Sequence, residues 1–183
     1  MTVLRPDHSP RLRALLTLDA AATARANRAI DVRGVRPLFR AVSRLGDGLL
    51  WYAMMAATLA VHGREGLFPV LHMVLVGVLG LVIYRVLKTR TARPRPYEVH
   101  AAIRLGTDPL DPFSFPSGHT LHAVAFSILF AAYYPVTGPF VLAFAALVAV
   151  SRLVLGLHYP SDVLAGAAIG ATLALGSLVL LPQ

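Results

Sequence analysis

Apolar and polar positions along this chain come in long blocks, and the blocks predict helices of membrane length. Leu67–Leu87, Phe140–Leu157 and Val163–Leu181 read as spanning helices, about 20 residues at 1.5 Å rise matching a roughly 30 Å hydrocarbon core. Ser117–Tyr134 forms another. Leu49–Val61 is apolar but short, and with its flanks it spans if tilted or locally matched. The blocks are separated by a tight connection at His62–Gly66, a proline-bounded turn at Pro135–Pro139 and a short junction at His158–Asp162. Residues 97–116 are a long connection with Pro109, Pro112 and Pro116, and loops of that length are commonly functional.

Before the first apolar block the pattern differs. Residues 11–44 hold eight of the seventeen basic residues and no long apolar run. Leu12–Ile30 places Leu12, Leu15, Leu16, Ala22, Ala26 and Ile30 along one side, with Arg11, Arg25 and Arg28 mostly elsewhere and Asp19 interrupting the apolar side. That is the pattern of a basic amphipathic helix lying on a membrane surface, or equally of a solvated helix. Arg33-Gly34 ends it, a short second helix runs to Arg44, and Gly46-Asp47-Gly48 is a turn signal with a candidate helix cap. The expected fold is an all-α polytopic membrane bundle in one domain. An N-terminal amphipathic, interfacial region (residues 1–46) precedes a transmembrane catalytic bundle (residues 47–183) of about five spanning helices.

Counting crossings has a geometric result. The helix ending near Leu87 and the one starting near Ser117 share a membrane face, and two crossings later His158 returns to it. Three polar motifs therefore converge on one side.

Composition narrows the chemistry. The chain is 56% hydrophobic and 14% charged, with a net charge of +8. Hydropathy argues against nucleic acid as the partner of that charge, and in a membrane protein excess arginine meets headgroups or anionic substrates. There is no cysteine, which removes disulfides, thiolate metal sites and cysteine phosphatase chemistry. Met1–Pro10 is polar with no compact apolar run and small-residue cleavage site behind it, so no cleavable signal peptide is expected.

Each motif suits a phosphate. Ser117 is a helix N-cap, Gly118 allows close approach, and the free N–H groups of the first turn make an anion site. His119 sits in that turn. The dipole disfavours its protonation by roughly 0.3–1 kcal/mol. A phosphate charge about 4 Å away favours it by about 4 kcal/mol at an effective dielectric of about 20. A bound phosphate therefore makes His119 a general acid. Arg95, fixed by the Arg-Pro-Arg-Pro run, suits a bidentate phosphate clamp and Lys88 adds a point charge, while Arg90 and Arg93 read as headgroup contacts. In the third motif Asp162, four residues after His158, is in reach to orient it as a nucleophile, with Arg152 near the end of the preceding helix. His-x-x-x-Asp alone is a weak signal; its conjunction with two phosphate motifs on one face is strong. The chain has no G-x-x-x-x-G-K-[ST] loop, no aspartates at metal spacing and no H-E-x-x-H. Phosphoryl transfer through histidine is the simplest remaining scheme. Asp108 and Asp111 read as turn residues.

Lys88-(six residues)-Arg95-Pro96, Pro116-Ser117-Gly118-His119 and Ser151-Arg152-(five residues)-His158-(three residues)-Asp162 together resemble the signature of the type 2 phosphatidic acid phosphatase (PAP2) superfamily, integral-membrane lipid phosphatase branch. The resemblance implies that His158 forms a phosphohistidine, that Asp162 orients it, and that His119 protonates the leaving alkoxide. It further implies that Lys88, Arg95, Ser117, Gly118 and Arg152 hold the phosphate, with no metal and no cofactor. Such enzymes often have six spanning helices, against the five counted here. The expected substrate is a lipid phosphate or diphosphate: phosphatidate, phosphatidylglycerophosphate or a polyprenyl (di)phosphate. A phosphotransferase passing the phosphoryl group to an acceptor alcohol is the alternative, and a non-catalytic lipid-binding membrane protein a third reading. The expected location is a bacterial inner membrane, with the charge bias favouring a cytoplasmic active site.

Overall fold

The computed structural model describes residues 10–181 and is helical, with no strand among the described residues. In chain order the helices are α1 (Pro10–Asn27), α2 (Val35–Arg44), α3 (Leu50–His62), α4 (Leu67–Thr91), the single turn α5 (Pro96–Val99), α6 (Gly118–Tyr133), α7 (Gly138–Val154) and α8 (Pro160–Leu180). Three stretches, Leu67–Val99, Pro135–Val154 and Pro160–Leu180, are long and apolar enough to cross a membrane; Gly118–Tyr133 is apolar but shorter. The fold is an all-α membrane bundle.

Its outer surface carries Leu71, Leu75, Leu79 and Val82 of α4 and Leu164, Leu175 and Val179 of α8, all exposed. Hydrocarbon, unlike water, imposes no cost on such a surface, while the helices satisfy their own backbone groups. The interior is built on Trp51, Met73, Val76, Leu129 and Val148. Trp51 lies edgewise to Phe144 and tilted against Phe126, and its indole N–H donates to the Gly46 carbonyl at 3.2 Å. A tryptophan buried this deeply must find such an acceptor.

Small residues set the closest packing. A Cβ on Gly166 would stand 2.4 Å from the Ser117 carbonyl oxygen, and one on Gly170 would stand 2.3 Å from that of Leu121. The backbones of α6 and α8 thus touch along a Gly-x-x-x-Gly face, the usual device for close helix approach in membranes. Because the contact joins the start of α6 to the first half of α8, it brings Ser117–His119 beside the His158–Asp162 junction, and the Ser117 N–H donates to the Asp162 carbonyl at 3.0 Å.

The helix ends differ from expectation at two places that matter. The helix predicted to stop at Leu87 continues to Thr91, so Lys88 stands on its last turn, buried and facing inward. The helix predicted to run to Leu157 stops at Val154. Gly156 takes φ +70°, which helps reverse the chain, and the N–H groups of Leu157 and His158 both return to the Arg152 carbonyl.

Helix α1 lies across the end of the bundle instead of passing through it. Asp19 reaches Ser161 at the start of α8, and Asn27 donates to the carbonyl of Val154 at the end of α7. Both contacts are at the same membrane face. The α2 arginines are also engaged: Arg36 and Arg40 donate to the Gly106 carbonyl at 3.2 and 2.5 Å, which ties down the long connection between α5 and α6.

Candidate active site

A cavity of ≈ 760 Å³ opens where these ends meet. Its polar part is lined by Lys88, Arg95, Gly118, His119, Arg152 and His158, so the structure brings six of the eight sequence-predicted residues to one space. Its apolar part runs between α3 and α4 past Trp51, Met55, Val74, Val78, Leu81 and Phe126. Of the other two, Ser117 caps α6, its hydroxyl 3.0 Å from that of Thr120, and Asp162 lies behind His158.

His158 is buried in the connection between α7 and α8. Its Nε2 is 3.5 Å from Arg95 Nη1, and its Nδ1 is 3.6 Å from Asp162 Oδ2. The carboxylate beside Nδ1 favours the tautomer with the proton on that nitrogen, which leaves Nε2 as the acceptor that faces Arg95 on the cavity side. Nδ1 has no hydrogen-bond partner within normal length. The gap to Asp162 is the kind that tightens when substrate binds. Burial, then the charges of Arg152, Arg95 and Lys88, hold the His158 imidazole well below its ordinary pKa. It is neutral near pH 7.

The cations are arranged unequally. Arg152 is fully enclosed; its Nη1 donates to the Ser43 hydroxyl and its Nε has no partner. A buried guanidinium with a spare donor on a cavity is suited to an anion. Lys88 and Arg95 instead share Asp111. Lys88 Nζ lies 2.6 and 2.7 Å from the two Asp111 carboxylate oxygens and 3.0 Å from the Phe113 carbonyl, which uses all three of its protons. Arg95 donates from Nη2 to Asp111 Oδ1 at 2.9 Å and from Nη1 to the Leu157 carbonyl at 2.9 Å. Burial opposes ionisation of Asp111, but Lys88 and Arg95 outweigh it and hold the carboxyl below its usual range. The residue read as a turn aspartate therefore occupies the position of an anion within the site.

His119 pairs with a residue that the sequence reading treated as a helix cap. Asp47 makes no cap bond. It sits in a kinked turn (Leu45–Leu49) between α2 and α3, with its Oδ1 3.3 Å from His119 Nε2. Burial raises the Asp47 pKa. The available signal was a carboxylate between two glycines at the mouth of an apolar helix, where a charge needs a use.

Arg93 and Arg95 part company. Residues 92–95 form a non-helical link between α4 and α5, opened by Ala92 in the left-handed region, and that link turns Arg93 and Arg95 to different partners. Arg95 faces the cavity. Arg93, expected at headgroups, turns to Asp162 and Asp19 instead, at 2.6 and 2.8 Å.

The comparisons with known proteins agree with this geometry. The family model of the PAP2 superfamily matches residues 69–183. The chain is 31% identical over 147 residues to decaprenylphosphoryl-5-phosphoribose phosphatase of Mycobacterium tuberculosis, covering 78% of each protein. Among solved structures it resembles LpxE of Aquifex aeolicus, with TM-score 0.78, 26% identity and coverage of 88% of this chain and 95% of that one. It also shares the fold of the transmembrane PAP2 type phosphatidylglycerolphosphate phosphatase of Bacillus subtilis, with TM-score 0.77, 23% identity and coverage of 94% and 87%. An α-helical membrane bundle with this motif set, this family match and a relative matched over 78% of its length belongs to the PAP2 superfamily, as a membrane-embedded phosphoric monoester hydrolase.

Proposed function

We propose that the chain hydrolyses a lipid phosphate or diphosphate through a phosphohistidine on His158. The observation that carries the lipid assignment is the shape of the cavity: cationic where His158, Arg95 and Arg152 meet, and apolar where it runs between α3 and α4. An amphipathic substrate fits such a space, with its phosphate among the cations and its chain against Trp51, Met55 and Val78.

In the first step Nε2 of His158 attacks phosphorus as the bond from phosphorus to the leaving oxygen breaks. His119 gives its proton to that oxygen. Asp162 takes the developing charge of the imidazolium at Nδ1. Arg95 and Arg152 hold the non-bridging oxygens, whose charge is redistributed in a loose transition state. In the second step water attacks the phosphohistidine, His119 accepts the water's proton, and inorganic phosphate leaves with His158 regenerated. With a diphosphate, the first leaving group is the lipid monophosphate. Lys88 holds Asp111 in the free site, so it joins the phosphate by releasing one of three existing hydrogen bonds.

The relatives are bacterial, and the catalytic end carries the basic α1 and α2, which favours a bacterial plasma membrane with this end cytoplasmic. The test of function is a panel of phosphatidate, phosphatidylglycerophosphate and polyprenyl mono- and diphosphates in mixed micelles containing a chelator. Phosphate release from at least one, blocked by vanadate, is expected. Release from soluble esters alone would overturn the lipid assignment.

A further inference from the structure

The mechanism above leaves a part-buried charged cluster without a use. Behind His158, away from the cavity, Arg93 donates from Nη1 to Asp162 Oδ1 at 2.6 Å and to the Ser161 hydroxyl at 2.7 Å. Its Nη2 donates to Asp19 Oδ2 of α1 at 2.8 Å. The guanidinium carbon lies 4.0 Å over the ring of Tyr159. Asp19 is itself fixed, accepting from the Ser161 N–H at 3.0 Å and from the Ser161 hydroxyl.

We infer that Arg93, held in place by Asp19 of the N-terminal helix, is a positioning residue of the hydrolase: it fixes and keeps ionised the carboxylate that orients His158. Asp162 is wholly enclosed, and a buried carboxylate stays charged only when paired and hydrogen-bonded. Its two oxygens are divided. Oδ2 accepts from the Tyr159 N–H at 2.8 Å and faces His158; Oδ1 belongs to Arg93. Arg93 is the cation that contacts Asp162 and does not line the cavity, so it acts on the reaction through Asp162 and not on the phosphate. Asp19 pairs with it from the other side, and Tyr159 covers its face. The cluster joins α1, the α4–α5 link and the start of α8. A helix that lies across the membrane face thereby sets the geometry of the catalytic dyad.

The titratable and charged groups facing this pair include Arg93 and Tyr159 against Asp162, with Asp19 behind Arg93, and Arg152, Arg95, Lys88 and His119 against His158. Removing Arg93 takes away the one cation that is directly bonded to Asp162 among the described residues. A buried carboxylate without its paired cation is destabilised in its charged form, and the acid limb of kcat moves up.

The inference rests on His158 being the nucleophile with Asp162 as its partner, so His158→Ala is measured alongside. Phosphate release in micelles is followed from pH 4.5 to 9 for Arg93→Met, Arg93→Lys, Asp19→Asn and an Arg90→Met control on the exposed end of α4. Expected for Arg93→Met is a drop in kcat of roughly 10²-fold, with KM within about two-fold and the acid limb displaced upward. Arg93→Lys restores part of kcat and returns the limb toward wild type. Asp19→Asn loses roughly 10-fold in kcat in the same pattern, and it keeps the inference testable should Arg93→Met fail to fold. Arg90→Met is unchanged. Folded Arg93→Met or Asp19→Asn protein with unchanged kcat and an unmoved acid limb overturns the inference, as does a rise in KM at constant kcat, which would put Arg93 on the phosphate. Activity surviving in His158→Ala overturns the nucleophile reading instead.

Discussion

Replacing Gly166 by alanine tests whether contact between α6 and α8 sets the site. The new Cβ would lie 2.4 Å from the Ser117 carbonyl oxygen, against 3.4 Å for ordinary contact, so the two backbones must part by about 1 Å. The atom pushed away is backbone, two residues from His119, and has no flexible end to swing aside. Overpacking of this kind costs about 1–3 kcal/mol, or roughly 2–12 °C in melting temperature for a chain of this size. Because the first turn of α6 carries His119 while α8 carries Asp162, the same shift misaligns acid and nucleophile, and about 1 Å of misplacement costs roughly 10²-fold in rate. Gly176, farther along α8, has nothing within 4 Å of its Cβ position and serves as the control. There the added helix propensity stabilises by about 0.5–1 kcal/mol. The assays are melting in detergent micelles and phosphate release at saturating substrate. If Gly166→Ala melts and turns over like Gly176→Ala, close packing of these helices does not position the site.

Other outcomes follow from single contacts. Arg152→Met removes a buried cation that lines the cavity, and kcat/KM should fall by roughly 10²-fold, a loss of about 3 kcal/mol, with the variant still folded by circular dichroism. Asp111→Asn takes the competing carboxylate from Lys88 and Arg95, so inorganic phosphate should inhibit at several-fold lower concentration; unchanged inhibition would mean that substrate phosphate does not share these cations with Asp111. Because burial and neighbouring arginines hold the His158 pKa well below 6.5, the imidazole stays neutral and reactive as pH falls through 6.5, so protonation of His158 should produce no limb in kcat/KM near that pH. Asn27→Ala strips partners from the carbonyls of Arg104 and Val154 and from the Arg104 N–H, and should lower the melting temperature through about 1–3 kcal/mol per buried group left unpaired.

Much of the fold could be read directly. Blocks of membrane length, separated by prolines and glycines, carried the helices, and parity of crossings put Lys88, His119 and His158 at one end. Spacing within the motifs identified the groups that line the cavity, because helix periodicity and short junctions leave little freedom over six or seven residues. What could not be read were partners distant in sequence. Asp111 reaches Lys88 through a proline-broken loop whose path depends on Arg36 and Arg40 of α2, and no local pattern encodes that. Asp19 looked like a flaw in an amphipathic face because its partner, Arg93, lies 74 positions away. Arg93 and Arg95 have the same chemistry and lie two positions apart, and the non-helical path through Ala92 and Pro94 turns one to Asp162 and Asp19 and the other to the cavity.

The central claim is a covalent phosphoenzyme on His158, and trapping it is the most direct measurement. Enzyme mixed with substrate carrying a radioactive phosphoryl group and quenched within milliseconds should hold label on the protein that survives base and is lost in acid, as expected of phosphohistidine. Proteolysis should place the label on the peptide containing His158, and His158→Ala should take up none. An acid-stable label elsewhere, or normal turnover by His158→Ala, would contradict the account.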